Sequence, residues 1–422
     1  MTEVKWISRS STDPEHFRTE TFPNGLTLLT EKIPHVKSVS IGVWSKIGSR
    51  HEPAELTGIS HFLEHMFFKG TARRTAEEIA RAIDSVGGVL DAFTTRENTC
   101  FYAKVLGEHL PLAVDLLSDI LLCSLMEEQE MEKERQVIQQ EIKMVEDSPD
   151  DLIHDLFAQI LWPNHPLGRP ILGSRETLAR IGRTELLSFL NEYYRPNHCV
   201  IAAAGNLDHQ ELVGLLAESF GAWSGCGPTV NTSSPLSQYC QWEDRRDLSQ
   251  VHLCLGVEGF PYAHEDRYAL HLLNCLLGGG MSSRLFQEVR ERRGLAYSIY
   301  SYQASFQDSG LVVVYAGTGP EHYREVLRLI ETEFSRMVAE PLSPEELQRA
   351  KDQLKGNLLL GLESTSSRMI RLAKMQIFFG QIFNLEEVIQ GIEEITSERI
   401  RDLARRLFGS HAYTLTAIGP IA

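Results

Sequence analysis

The chain is poor in cysteine, lacks a basic surplus and has no long apolar run, and each shortage removes a class of protein. Seven cysteines stand in 422 residues, at positions 100, 123, 199, 226, 240, 254 and 275, with no C-x-x-C pair among them. A scattered, odd-numbered set is not a disulfide framework; it reads as reduced thiols in a cytosol-like compartment. Lys and Arg number 41 against 57 Asp and Glu, a formal net charge of −16, where a nucleic-acid binder would carry a basic face. No apolar stretch is long enough to span a bilayer. The opening residues, MTEVKWISRSSTDPEHF, hold no apolar signal core and are neither Arg-rich nor poor in acids, so no secretory or transit signal is expected there. The expectation is a cytoplasmic protein with no nucleic-acid or membrane partner.

What remains is a globular composition, 42% apolar and 23% charged, in a chain long enough for two large domains. "SVSIGVWSKIGS" alternates Val39, Ile41 and Val43 with small or polar neighbours and predicts a strand. A helix is predicted from about Thr57, and a second over "TAEEIARAIDSVGG", capped by Thr75 and stopped at Gly87-Gly88. "VLDAFTTRENTCFYAKVL" predicts one or two strands, followed by two helices, the second with an acidic outer face. The later half repeats this order in outline, from "QVHLCLGVEGF" through "HEDRYALHLLNCLLGG" to "LAYSIYSYQAS" and "LVVVYAGT". "TELLSFLNEYYRPNHCVIAAAGN" from Thr184 and "SERIRDLARRLFGSHAYTLTAIGP" from Ser397 are each a helix, a break and a strand closing on Gly, 213 residues apart (397 − 184). A duplicated unit follows. The fold class expected is α+β: two homologous α/β domains, each a mostly antiparallel mixed sheet packed with helices. Their expected extents are 1–225 and 246–422, joined by a Gly-, Pro-, Ser- and Thr-rich linker over 226–245.

The chemistry-bearing stretch is "GISHFLEHMFFKG" at 58–70. On a helix, His61 and His65 lie on one face and can offer two imidazoles to a single metal ion, with Glu64 close beside it. Two imidazoles and a carboxylate suit zinc, which makes a bound water acidic enough for a neighbouring carboxylate to take its proton. His61 and His65 are therefore candidate ligands and Glu64 the candidate general base. Ile59, Phe62, Leu63, Met66 and Phe67 surround them, and burying His and Glu there without partners would cost several kcal/mol. A third ligand is sought on "EKERQVIQQEIKMVED", where Glu134 and Glu141 share a face with Val137, Ile138 and Ile142. Periodicity does not choose between them. Glu127, Glu128, Glu130 and Glu132 read as solvated.

Together these residues resemble the pitrilysin family of zinc peptidases, the inverzincins, in which H-x-x-E-H replaces the more familiar zinc motif. The likeness extends through "NGLTLLTEKIPHVKSVSIGVWSKIGSRHEP", "DAFTTRENTCFYAKVL", "YYRPNHCVIAAAGNLD" and "GGGMSSRLFQEVRERRGLAYSIYSY". The length matches its short, two-domain branch, nearest the mitochondrial processing peptidase β subunit. In that family a ligand glutamate follows the motif by some seventy-odd residues, with a supporting glutamate seven residues earlier. Here the resemblance implies Glu141, 76 residues past His65 (141 − 65), as third ligand and Glu134 as support. It implies one zinc ion per chain, and it assigns Arg290 and Tyr297 to substrate or transition-state binding in preference to Arg292 and Arg293. "DAFTTRENT" corresponds to the strand on which substrates add as an extended strand, so Asp91, Ala92 and Phe93 are substrate-binding candidates. Relatives usually carry Asn in place of Asp91, and the carboxylate points to basic peptides.

The activity implied is zinc-dependent endopeptidase action on peptides or unfolded segments inside a closed chamber. The partner implied is a second copy of the chain, a homodimer completing each site in trans. The rival readings are a peptide-binding or scaffold subunit without catalysis and a processing peptidase working with a distinct partner subunit.

Overall fold

The computed structural model of the protein describes residues 17–230 and 232–421. The expectation about a leader falls on residues 1–16, outside the described residues. Along the chain come β1 (Phe17–Thr21), β2 (Thr27–Lys32), β3 (Ser38–Ser45), α1 (Ile59–Phe67), α2 (Ala76–Asp84), β4 (Val89–Thr94) and β5 (Thr99–Leu106). Then follow α3 (Leu110–Cys123), α4 (Glu128–Glu146), α5 (Pro149–Leu161), α6 (Arg175–Leu178), α7 (Arg183–Tyr193), β6 (Cys199–Gly205) and α8 (His209–Phe220). The later half holds β7 (Gln241–Arg245), β8 (Val251–Glu258), α9 (Arg267–Leu277), β9 (Ala296–Ser305) and β10 (Gly310–Thr318). It ends with α10 (Tyr323–Ala339), α11 (Pro344–Gly361), α12 (Thr365–Phe379), α13 (Leu385–Glu393), α14 (Ser397–Phe408) and β11 (Thr414–Gly419).

The strands form two sheets in the orders β1-β2-β6-β3-β5-β4 and β7-β11-β8-β10-β9. Setting β1 aside, the two orders match strand for strand. In each, one parallel pair (β2 with β6, β7 with β11) adjoins an antiparallel run. The expected class, two related units of mixed, mostly antiparallel sheet packed with helices, is borne out. The echo noted in sequence is the pair α7–β6 and α14–β11, both feeding a central strand of their sheet.

The two compact units are not contiguous in sequence. The first comprises residues 1–142, 170–232 and 361–384; the second comprises 143–169, 233–360 and 385–422. This differs from a split into 1–225 and 246–422 by two exchanged segments, each containing a helix. The cause lies in the central strands. β6 and β10 are buried at every position, so both faces of each sheet need cover, as in sheets whose strands read as unbroken apolar runs. In the first unit one face packs against α1, α3 and α8, while Leu29, Trp44, Val200 and Ala202 on the other are covered by Met369, Leu372 and Ala373 of α12. Ser40 anchors the start of α12 through the hydroxyls of Thr365 (2.9 Å) and Ser366 (3.0 Å). In the second unit Ile153, Phe157 and Leu161 of α5 cover Cys254, Val313 and Ile418. The stretch expected as linker, 226–245, is irregular only as far as Cys240; its last five residues are β7, held by parallel pairing to β11.

Candidate metal centre

The site is built on α1, and the helix is fixed before any metal is considered. Ile59, Phe62, Leu63, Met66 and Phe67 are all buried, each worth about 1.5–3 kcal/mol relative to exposure. Gly58 precedes the helix at φ +100°, and a Cβ there would lie 2.7 Å from the Leu172 carbonyl oxygen, so only glycine fits. The N–H groups of Gly58 and Ser60 donate to the two oxygens of buried Glu52, each at 2.8 Å. That carboxylate answers donors a helix start leaves unpaired, and it suits the positive end of the helix dipole.

On this frame His61 and His65 project together, ring centroids 4.6 Å apart. From α4, Glu141 brings Oε2 to 3.7 Å from His61 Nε2 and 3.6 Å from His65 Nε2. The three donor atoms all lie within 4.8 Å of one another. Ligands about 2.1 Å from a tetrahedral zinc ion sit about 3.4 Å apart, so two histidines and a carboxylate at these separations fit zinc. His61 is held neutral, its pKa pushed down to about 3 by burial and then by His65, which leaves it a lone pair to give. Its Nδ1 is buried and lacks a hydrogen-bond partner among the described residues.

His65 is held differently. Its Nδ1–H donates to Glu134 Oε2 at 2.9 Å, which fixes the tautomer and directs Nε2 to the cluster. Glu134 is buried and also pairs through Oε1 with Lys69 Nζ at 2.7 Å. Glu127, Glu128 and Glu132 are exposed, whereas Val137, expected on the inner face, is 43% exposed. Glu64 accepts the Thr94 hydroxyl at 2.5 Å, which ties it to β4. Burial pushes its pKa above the ordinary carboxylate range, while the Thr94 bond and His65 pull the other way and Asp91 and Glu141 add to the rise. A carboxylate so placed is a better proton acceptor.

β4 is the last strand of its sheet, so its outer edge has no strand partner among the described residues. Asp91 is exposed on it, its carboxylate accepting the Ala92 N–H at 2.8 Å and the Tyr102 hydroxyl at 3.2 Å. Ala92 packs toward the core that carries α1, and Phe93 turns to the opposite face, edge-on to Trp44 with centroids 5.4 Å apart. Arg290 and Tyr297 belong to the second unit. There the Arg290 guanidinium lies 4.8 Å from the Tyr297 ring centre, and Tyr297 is 78% exposed. Arg292 and Arg293 are both engaged by Glu288, at 2.9 and 2.8 Å. Lys69, Thr94 and Glu52 were not singled out from sequence. Lys69 could have been, because it stands four residues past His65 and extends the 61–65 face.

Residues 27–175 match the family model "Insulinase (Peptidase family M16)", and residues 180–354 match "Peptidase M16 inactive domain". An uncharacterized zinc protease of Bacillus subtilis, YmxG, is 43% identical over 95% of this chain and 97% of its own length. Uncharacterized zinc proteases of Streptomyces coelicolor and Rickettsia felis are 40% and 39% identical, over 99% and 96% of this chain and 94% and 98% of theirs. A protease from Helicobacter pylori shares the fold at TM-score 0.89 and 22% identity, covering 95% of this chain and 99% of that one. A "peptidase M16 inactive domain" structure from Pseudomonas fluorescens does so at TM-score 0.90 and 20% identity, over 96% and 98%. The chain belongs to peptidase family M16, the insulinase family. The pitrilysin-family resemblance is thereby borne out.

Proposed function

We propose that the chain is a zinc-dependent endopeptidase, one zinc ion per chain, acting on peptides or unfolded segments. The observation that carries this is the meeting of His61, His65 and Glu141 donor atoms within 4.8 Å, with Glu64 on the same helix as both histidines. Zinc held by those three residues would supply Lewis acidity toward water and the scissile carbonyl. Glu64 takes the proton of the attacking water and returns it to the leaving amine, and Thr94 keeps its carboxylate aimed. The outer edge of β4 receives the substrate as an added strand, with main-chain hydrogen bonds giving affinity and Ala92 and Phe93 shaping its neighbourhood. Asp91 favours a basic side chain there. Arg290 and Tyr297 donate to the developing oxyanion, supplied by a second copy of the chain in a homodimer that encloses the substrate in a chamber. No helix among the described residues is long and apolar enough to cross a membrane. The cytoplasm is our reading of where the protein works, on the scattered unpaired cysteines.

The test is hydrolysis of an unstructured peptide mixture, read by mass spectrometry, for wild type and Glu64→Gln at equal zinc content. Cleavage is expected from wild type alone. Cleavage that survives the substitution sinks the mechanism.

A further inference from the structure

We infer that Lys69 is a positioning residue of the metal centre, acting on His65 through Glu134. The inference rests on the metal reading above and extends it by one residue. Three groups stand in line: Lys69 Nζ lies 2.7 Å from Glu134 Oε1, and Glu134 Oε2 lies 2.9 Å from His65 Nδ1. Both carboxylate oxygens are thus taken, one by each neighbour. The Glu134 side chain is 7% exposed, so little water is left to replace either partner.

The Lys69 backbone is pinned as firmly as the helix it follows. Its N–H donates to the Met66 carbonyl at 3.1 Å, closing the last turn of α1. Gly70 then reverses the chain at φ +112°, and its carbonyl accepts the Leu125 N–H at 3.2 Å. Lys69 therefore meets Glu134 from a fixed base.

Two anchors hold a carboxylate plane where one leaves it free to swing. With Lys69 removed, Glu134 keeps a single hydrogen bond and loses the cation bonded to its Oε1, leaving only the more distant charge of exposed Lys133, a costly arrangement relieved by turning away from His65. The imidazole then loses the acceptor that fixes its ring and its tautomer, and metal affinity falls. Lys69 makes no bond to His61, His65 or Glu141, so its bonded route to the ligands passes through Glu134, while direct repulsion of the metal by its charge would act the other way, tightening binding when Lys69 is removed.

The experiment measures zinc affinity by chelator competition, independent of hydrolysis. Its variants are Lys69→Met, Lys69→Arg, Glu134→Gln and the double Lys69→Met/Glu134→Gln, with His65→Ala as the ligand control. Thermal unfolding of the zinc-free proteins reports folding. Lys69→Met is expected to weaken zinc binding about 10-fold, at the lower end of what outer partners of ligand histidines contribute. Lys69→Arg, which keeps the cation, is expected to restore most of that loss. In the Glu134→Gln background, Lys69→Met is expected to add nothing. Unchanged affinity in Lys69→Met, or an equal loss in both backgrounds, overturns the inference. If Lys69→Met does not fold, affinity in Lys69→Arg and Lys69→Gln decides: a Gln variant as tight as the Arg variant overturns it. Failure of the metal reading looks different: wild type then takes up no stoichiometric zinc, or His65→Ala binds it as tightly as wild type.

Discussion

Two helices of this molecule occupy the same place in two matching sheets, and only one carries the pair of histidines and the glutamate of the candidate metal centre. α1 follows β3 and packs beside the edge strand β4; α9 follows β8 and packs beside the edge strand β9. The first reads H-F-L-E-H over 61–65 and the second H-L-L-N-C over 271–275. Each sends its fourth residue to a hydroxyl on the edge strand: Thr94 donates to Glu64 at 2.5 Å, and Ser301 donates to Asn274 Oδ1 at 2.7 Å. The surroundings then diverge. His271 Nδ1 meets the Gln303 amide at 2.6 Å, and Cys275 replaces the second histidine. Matching Met131 and Ile138 of α4 to Leu347 and Leu354 of α11, the apolar residues each helix turns to its core, sets Ala350 opposite Glu134 and Asn357 opposite Glu141. The helix-to-strand hydrogen bond is common to both units, and the carboxylates and the second imidazole are found in the first alone.

The largest expected effect follows from writing the second unit's residue into the first. Glu64→Asn keeps an acceptor for Thr94 and leaves the three ligands in place, so zinc content should hold. It removes the proton acceptor, and kcat on an unstructured peptide should fall by about 10²–10⁴. The converse change in the second unit, Asn274→Ala, removes the Oδ1 acceptor of the Ser301 hydroxyl, leaving it the Asn274 carbonyl at 3.2 Å, and should cost at most about 1 kcal/mol of stability with kcat unchanged. Peptidase assays beside denaturant unfolding check both; comparable losses of kcat would mean the two helices share the chemistry after all.

This pairing also shows how far the sequence could be read. His61, Glu64 and His65 were legible because i, i+4 spacing is local geometry. The duplication was legible because α7–β6 and α14–β11 repeat a whole helix–strand pattern. The exchange of α5 and α12 was not. The unbroken burial of β6 and β10 calls for cover on both faces, but nothing local says that residues 361–384 supply it to the first sheet. β7 escaped notice because QWEDR carries no apolar run and pairs with one strand only. Lys69 and Thr94 act through other side chains, and a pattern of ligand types does not register such residues.

A middle-sized effect tests whether the second unit serves the first from another copy. Glu64→Gln and Tyr297→Phe should each be poorly active alone. If the chain is the homodimer proposed above, mixing with exchange would give dimers in which one zinc half with Glu64 meets one intact Tyr297. Random pairing at equal amounts then returns roughly a quarter of wild-type activity. Mixtures that stay at the level of their components would place Arg290 and Tyr297 in service of their own chain, or of no site at all.

The smallest effect concerns the turns that leave β3 and β8. After β3, the chain turns through 48–51, where His51 Nδ1 accepts the Gly48 N–H at 3.0 Å and the Ser49 and Arg50 N–H groups hold the β4–β5 loop at Thr95 and Arg96. After β8, the turn is closed by Gly259 N–H on the Gly310 carbonyl at 2.8 Å, a bond with no titrating member. Burial, and then the charge of Arg50, push the His51 pKa from 6.5 down to about 4. An imidazolium also has no lone pair for Gly48. Between those values the unfolded chain binds a proton that the folded unit refuses, so stability drops as pH falls from 6.5 toward 4. The drop is bounded at about 3 kcal/mol. His61 adds to it in the zinc-free protein, because its pKa is lowered in the same sense. Hydrogen exchange of β4 and β5 amides in zinc-free protein should therefore quicken on acidification, after correction for intrinsic rates; β9 and β10 carry their own acid-sensitive groups, because burial also lowers the pKa values of His154, His252 and His271, which bond to Tyr300 and Tyr302, to Tyr315 and to Gln303. His51→Asn, which can still accept the Gly48 N–H, should remove the part of that quickening due to His51. An acid response of β4 and β5 that is the same in His51→Asn as in wild type would assign the sensitivity to groups other than His51.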